Sequence, residues 1–492
     1  MGSLVKQDAS DKAAQESANR IKALQTRSQE PRESTSNVVF SSELIERMVE
    51  DKDGDRQAVR KNLDAIQRTQ ANLSDKRWCF FDTELNGSLV ERRPFPKASV
   101  PKDWEDDLKT QQIRRQTFAS GFASCMVSYG KKLPDELILW LLDEIPHEDS
   151  DDLRYSYSNT LMASKEQLPT LIEPTTIENM FRSLGATSAA TSTTEKIVPI
   201  LKAHNPYPNR DWSKLLSLIR FLKHAAKQLL QASRNRALYM LLRLSVDHIL
   251  LDRTDLLFSV QKAITKLCEF TSEDYWETCV SLQIPDCRTE LTFLKCQEMC
   301  GPLFTCVEQP SLRLQIVKCI PCTTPQTHDL RRRLAMAFYF NDVSKSTTHS
   351  YHITNLTQFS ERLQDPPFLI NQQTDYQELT ALICLLDIAI DDGRSPDIYL
   401  ENKAEEVKFN QDVDALAARV TVMHITTDLR DMWTQRAQDA QSGLAFRLQS
   451  TVRTKPKPKQ DILHGLVPEE EDHESMKAAM ARFVVRHKKE DV

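Results

Sequence analysis

Between Trp78 and Val452 apolar side chains recur every three or four positions, the spacing that gathers them on one face of an α-helix. The clearest stripe starts at Asp211, read as an N-cap, and runs through Trp212, Leu215, Leu216, Ile219, Leu222, Ala226, Leu229 and Leu230. A second helix follows Ala232 and Ser233, carrying Leu238, Leu241, Leu242, Val246 and Ile249; a third carries Leu256, Leu257, Val260, Ile264 and Leu267. Leu133-Pro134-Asp135-Glu136 opens another, with proline and acids in the first turn and Leu137, Trp140, Leu141 and Ile145 facing inward. Thr327 or Asp329 is expected to cap Leu330 to Phe340, and the stripe Leu379 to Ile390 to stop at Gly393. The last long helices are placed at about Val407 to Ile425 and Asp428 to Leu448.

Helices in immediate succession with short connections pack as antiparallel neighbours, and about sixteen of them fit the length. The pattern predicts an all-α fold, an irregular HEAT-like helical-repeat array (α-solenoid) without a fixed sequence period. Truncating Leu216 to Ala is then expected to cost ~2–5 kcal/mol if its stripe is core. Three regions are expected: residues 1–75, polar and disordered apart from short amphipathic helices near Ser42 and Val59; a core over 76–452; and a charged tail over 453–492. The core is expected to begin at Arg77-Trp78-Cys79-Phe80-Phe81-Asp82, whose three aromatics would be costly to leave in water.

Composition sharpens this picture. Ten glycines in 492 residues, about 2% against the usual ~7%, leave little material for tight turns or phosphate loops. A net charge of -6 argues against a protein coated with nucleic acid along its whole surface. No run of eighteen apolar residues and no hydrophobic leader occur, so the chain is read as intracellular and without a membrane span. Eleven cysteines, mostly within apolar runs, fit reduced core thiols.

Candidate chemistry is sparse. Gly130-Lys131 lacks the upstream glycine and the hydroxyl of a P-loop, and no zinc-protease, hydrolase or dinucleotide motif is present. Cys296, Cys300, Cys306, Cys319 and Cys322, with His328, form the one cluster resembling a metal site, but their spacing lacks zinc knuckles and is read as core. Asp387, Asp391, Asp392 and Asp397 define an alternative, a magnesium-dependent all-α enzyme, against an arginine-paired or solvated helix end. Arg331-Arg332-Arg333 diverge by about 100° each, so one is expected to meet a buried acid while the others are solvated. Lys455, Lys457 and Lys459 alternate with prolines and are free to meet phosphate or an acidic partner. No cofactor, metal or small-molecule substrate is expected.

Trp78-Cys-Phe-Phe81, Pro94-Phe-Pro96, Ser120-Gly-Phe122, Leu133-Pro-Asp-Glu136, Asp152-Leu-Arg154, Leu330-Arg-Arg-Arg-Leu-Ala335, Leu385-Leu-Asp-Ile-Ala-Ile390 and Val452 to Lys459 together resemble the fungal CANIN family, named for coiled-coil SMC-five and SMC-six interacting proteins. The similarity spans about residues 76 to 460 and is one of short blocks. It implies a non-catalytic, Nse-six type helical-repeat subunit of the five-six SMC complex, paired with an Nse-five type subunit in the nucleus. Such a pair regulates the SMC ATPase and supports chromatin loading and DNA repair. Arg331, Arg332, Lys455, Lys457 and Lys459 are the residues expected to touch a partner or, weakly, DNA; a direct nucleic-acid-binding scaffold is the other alternative.

Overall fold

The computed structural model describes residues 76–83, 92–201, 206–208, 210–272, 276, 300–347, 356–371, 373–390, 403–428 and 431–454. All of them fall in the unit Gln67–Val492. The helices expected near Ser42 and Val59, the stop expected at Gly393 and the tail beyond Thr454 lie outside the described residues.

The fold is all-α. Nineteen α-helices are described: α1 Glu105–Leu108, α2 Gln111–Ala119, α3 Phe122–Ser128, α4 Asp135–His147, α5 Asp151–Ala163, α6 Leu168–Leu171, α7 Pro174–Ser183, α8 Ser188–Thr191, α9 Ser213–Ala225, α10 Gln231–Leu244, α11 Ile249–Asp252, α12 Thr254–Glu269, α13 Cys300–Cys306, α14 Pro310–Cys319, α15 Pro325–Phe340, α16 Leu356–Arg362, α17 Tyr376–Ala389, α18 Lys403–Thr426 and α19 Met432–Arg447. Packing passes along the chain as in a helical-repeat array: α4 and α5 on α9, α9 on α12, α12 on α15, α15 on α17, α17 on α19, and α19 on α18. One continuous core of buried apolar side chains runs from Trp78 to Val452. Among the described residues, no helix is long and apolar enough to cross a membrane.

Several caps differ from the sequence reading. Thr324, with Pro325 in the first turn, starts α15, its hydroxyl accepting from the Thr327 amide at 3.3 Å. Thr327 is therefore the third residue of a capping box, and Asp329 is spent inside the core. Asp431 caps α19 in the same way with Thr434, so that helix begins at Met432 rather than near Asp428. Asp211 sits one residue ahead of the α9 cap, accepting from the Ser213 amide at 2.9 Å.

The α9 stripe is also wider than its spacing suggested. Because α9 packs on α4, α5 and α12 at once, Leu218 and Phe221 are buried as well, while Leu216 is half-buried and Leu230 exposed. The helix stops at Ala225, and Leu230 instead precedes α10.

An extended segment, Lys76 to Asp82, ties distant helices together. Lys76 and Arg77 (β1) pair antiparallel with Ile200 and Leu201 (β2). Lys76 Nζ reaches Asp375 at 2.8 Å and Glu378 at 2.6 Å, at the start of α17. Four residues on, the Phe80 amide donates to Asp247 Oδ2 at 2.8 Å, beyond the end of α10, and the Asp82 amide donates to the Gly185 carbonyl at 2.9 Å, beyond α7. Phe80 and Phe81 are fully buried, edge-on to Phe181 and Tyr207. The aromatic run thus joins three parts of the array that the chain order separates.

Asp247 is the polar centre of this clasp. Its carboxylate accepts from the Tyr207 hydroxyl at 2.6 Å, the Phe80 amide and the Ile249 amide at 3.0 Å. Burial nonetheless raises its pKa above the ordinary 3.8, outweighing these donors.

Two measurements check this packing. In denaturant unfolding, Leu218→Ala is expected to cost ~2–5 kcal/mol and Leu216→Ala clearly less; the reverse order would contradict the burial of α9. The folded chain holds the Asp247 proton more tightly than the unfolded chain, so this site's stabilisation is complete below the ordinary carboxylate range and declines as pH rises. The stability of wild type relative to Asp247→Asn should therefore fall as the pH is raised from the ordinary 3.8 upward. A gap that widens with pH would refute a buried, proton-retaining carboxyl.

Candidate interaction surfaces

Helix ends shape the polar chemistry of this molecule. The last carbonyls of a helix lack intrahelical donors and carry the negative end of its dipole. Glycine in the left-handed conformation is the common remedy, yet among the described residues only Gly121, Gly130 and Gly185, with Asn341, adopt positive φ. Arginines supply donors instead. Arg154, fully buried, donates to the carbonyls of Glu148 at 2.6 Å and Asp149 at 3.0 Å past the end of α4. Arg234 donates to Ala226 at 3.1 Å and Leu229 at 2.8 Å past α9, and Arg236 to Thr191 at the end of α8. Arg210 reaches the Leu184 carbonyl past α7; a Cβ on Gly185 would lie 3.0 Å from its Nη2, so that glycine clears its path.

The Arg331-Arg332-Arg333 triplet follows the same logic. Arg333 is buried with its guanidinium 2.9 Å from Asp329, which also accepts from the Trp276 indole at 2.8 Å. Arg332, only 3% exposed, donates through Nε to the Ala389 carbonyl at 3.2 Å, the last residue of α17. Its side chain is packed within the fold and offers no surface for a partner or DNA, contrary to the expectation of a solvated neighbour. Arg331 is half-buried, its Nη1 donating to Cys322 Sγ at 2.8 Å. Lys455, Lys457 and Lys459 lie outside the described residues. Of the five expected contact residues, only Arg331 and Arg332 are among the described residues.

Asp387, in the last turn of α17, is arginine-paired. Arg447 Nε donates to Asp387 Oδ1 at 2.5 Å, and its Nη2 reaches the carbonyls of Asp387 and, at 3.0 Å, Ile390. Asp391, Asp392 and Asp397 lie outside the described residues. Of the cysteine cluster, Cys306 and Cys319 are buried, Cys322 is exposed, and Cys296 is not described. Burial raises the Cys319 thiol to about 12, so it is a core thiol. Among the described residues, no three His, Cys, Asp or Glu converge as metal ligands.

A cleft of about 840 Å³ opens between α13, α15 and the start of α17. Its charges are already engaged. Arg313 lies against the rings of both Phe304 and Phe338 and donates to the Val307 carbonyl at 2.6 Å beyond α13, and burial lowers its pKa to about 10. Glu378 holds Lys76 and the Ser311 amide and hydroxyl, and Arg362 pairs with Asp365 at 2.5 Å. On the outside, α18 and α19 leave large apolar groups in water: Val407, Val422 and Ile425 are 50%, 60% and 75% exposed, and Phe446 75%. The three on α18 lie within about 60° of one another around the helix.

Sequence reasoning missed Asp247, Arg154, Arg313 and Arg447 as organising groups. The available signal was arginine inside otherwise apolar helical stretches, as in Arg234, Arg236 and Arg243 of α10. No protein-family model matches this chain, and no curated protein is similar to it.

Arg332→Ala is expected to cost about 1–3 kcal/mol by stranding buried carbonyls, whereas Arg331→Ala should stay near 0.5 kcal/mol. Denaturant midpoints decide; equal losses would remove the capping role from Arg332.

Proposed function

We propose that this chain is a non-catalytic adaptor and regulatory subunit of the five-six SMC complex, acting with an Nse-five type partner in chromatin loading and DNA repair in the nucleus. The observation that carries the reading is the exposure of Val407, Val422 and Ile425 on one side of α18 and of Phe446 on α19, at the C-terminal end of the array. Val407 to Ile425 spans about 27 Å along one helix face, the footprint of a helical partner rather than of a small molecule.

The short blocks that resemble the CANIN family add support, because they occupy scaffold positions here. Trp78 to Phe81 form the clasp, Arg154 caps α4, Arg332 and Arg333 fix α15, and Leu385 to Ile390 form the arginine-held end of α17. A family that shares such positions shares an array before it shares any surface.

Affinity purification of the tagged full chain is expected to recover both SMC subunits and an Nse-five type protein. Val422→Lys combined with Ile425→Lys should cut recovery of the Nse-five type protein at least tenfold while the melting temperature stays unchanged, since both residues face water and cations suit the end of α18. Recovery of none of these proteins by the wild-type chain would end the proposal.

A further inference from the structure

The thirty-five residues from Trp212 to Val246 contain no aspartate or glutamate, although the whole chain carries a net charge of -6. Seven cations lie in that run. Lys214 pairs with Asp149 at 2.7 Å and Arg236 with Glu178 at 2.9 Å, while Arg234 and Arg243 are spent on backbone carbonyls. Arg220, Lys223 and Lys227 have no anion among the described residues, and they stand one turn apart along the solvent side of α9 and the turn that follows it. His224 stands among them, held below its ordinary pKa by burial and then by the Lys223 charge.

The neighbouring helix α12 presents a second stripe. Phe258, Lys262, Lys266 and Phe270 recur at every fourth position, all on its exposed side. Phe258 and Phe270 are 58% and 37% exposed, and Lys262 Nζ lies 4.3 Å from the Phe258 ring centroid. Lys266 contacts Glu269 at 2.6 Å, but Lys262 has no carboxylate among the described residues. Because α9 and α12 pack side by side and each turns its apolar face to the core, both stripes are on their outer sides.

We propose that the outer face of α9 and α12 binds a single strand of nucleic acid. Cations at helical spacing offer donors to successive phosphates, and the half-exposed phenyl rings offer stacking surface to unpaired bases. A duplex would satisfy the cations but leave the rings unused, whereas each nucleotide of a single strand brings both a phosphate and a planar base. The inference stands on different residues from the adaptor reading and does not depend on it.

Fluorescence anisotropy with a labelled single strand of about 30 nucleotides tests it on the full chain. Wild type is expected to bind at about 50 mM salt and to weaken steeply as salt rises. Arg220→Glu with Lys223→Glu and Lys227→Glu should lower affinity more than about tenfold and flatten the log–log salt slope by about 2. Phe258→Ala with Phe270→Ala should weaken the single strand while leaving duplex binding unchanged. Failure of wild type to bind overturns the proposal. So does undiminished binding by the folded α9 variant, or equal affinity for an acidic polyglutamate peptide, which would assign the face to a protein partner.

Discussion

A helix that ends inside a packed array leaves carbonyl oxygens pointing into a medium that cannot hydrate them, and every such end must find a donor. With so few glycines the chain cannot close most helices by a left-handed turn, and guanidinium groups from neighbouring helices take that place. Arg154, Arg234, Arg313, Arg332 and Arg447 each donate to carbonyls at or just past a helix end. Such a bond does two things at once. It satisfies the terminus and it fixes the angle at which the next helix packs, so the array's geometry is set by polar contacts inside an apolar core.

The clasp answers a weakness of this architecture. An array in which helices touch mainly their chain neighbours opens locally at low cost. Lys76 to Asp82 contacts α17, Asp247 and the end of α7 within seven residues, so separating those helices requires extracting Phe80 and Phe81 from the core. Asp247 holds the segment through a backbone amide and a tyrosine hydroxyl, contacts that tolerate a neutral carboxyl as well as a charged one.

With so much polar capacity turned inward, the outer faces divide by character. On α18 and α19 the exposed large apolar groups are Val407, Val422, Ile425 and Phe446, while the exposed sides of α9 and α12 carry cations unpaired among the described residues and two phenyl rings. The buried arginines explain why raw charge counts mislead here. Four of the seven cations between Trp212 and Val246 are internally engaged, and only the remaining three shape the local field.

The all-α array, the helices around Leu137, Leu241 and Leu382, and the aromatic opening of the core were legible in the sequence, because helical periodicity and the cost of exposing aromatics are local properties. At Asp387, in the last turn of α17, the arginine-paired reading was legible too, since an acid near a helix C-terminus calls for a cation. What the sequence could not assign was the partner of each buried charge. Arg332 and Arg331 are adjacent and chemically identical, yet one caps α17 and the other meets Cys322. Only the packing of α15 against α17, which brings Ala389 within reach of a residue 57 positions away, separates them. Periodicity determined which faces are apolar; long-range contacts decided which polar groups those faces enclose, because a hydrogen bond depends on positions in space that sequence spacing does not encode.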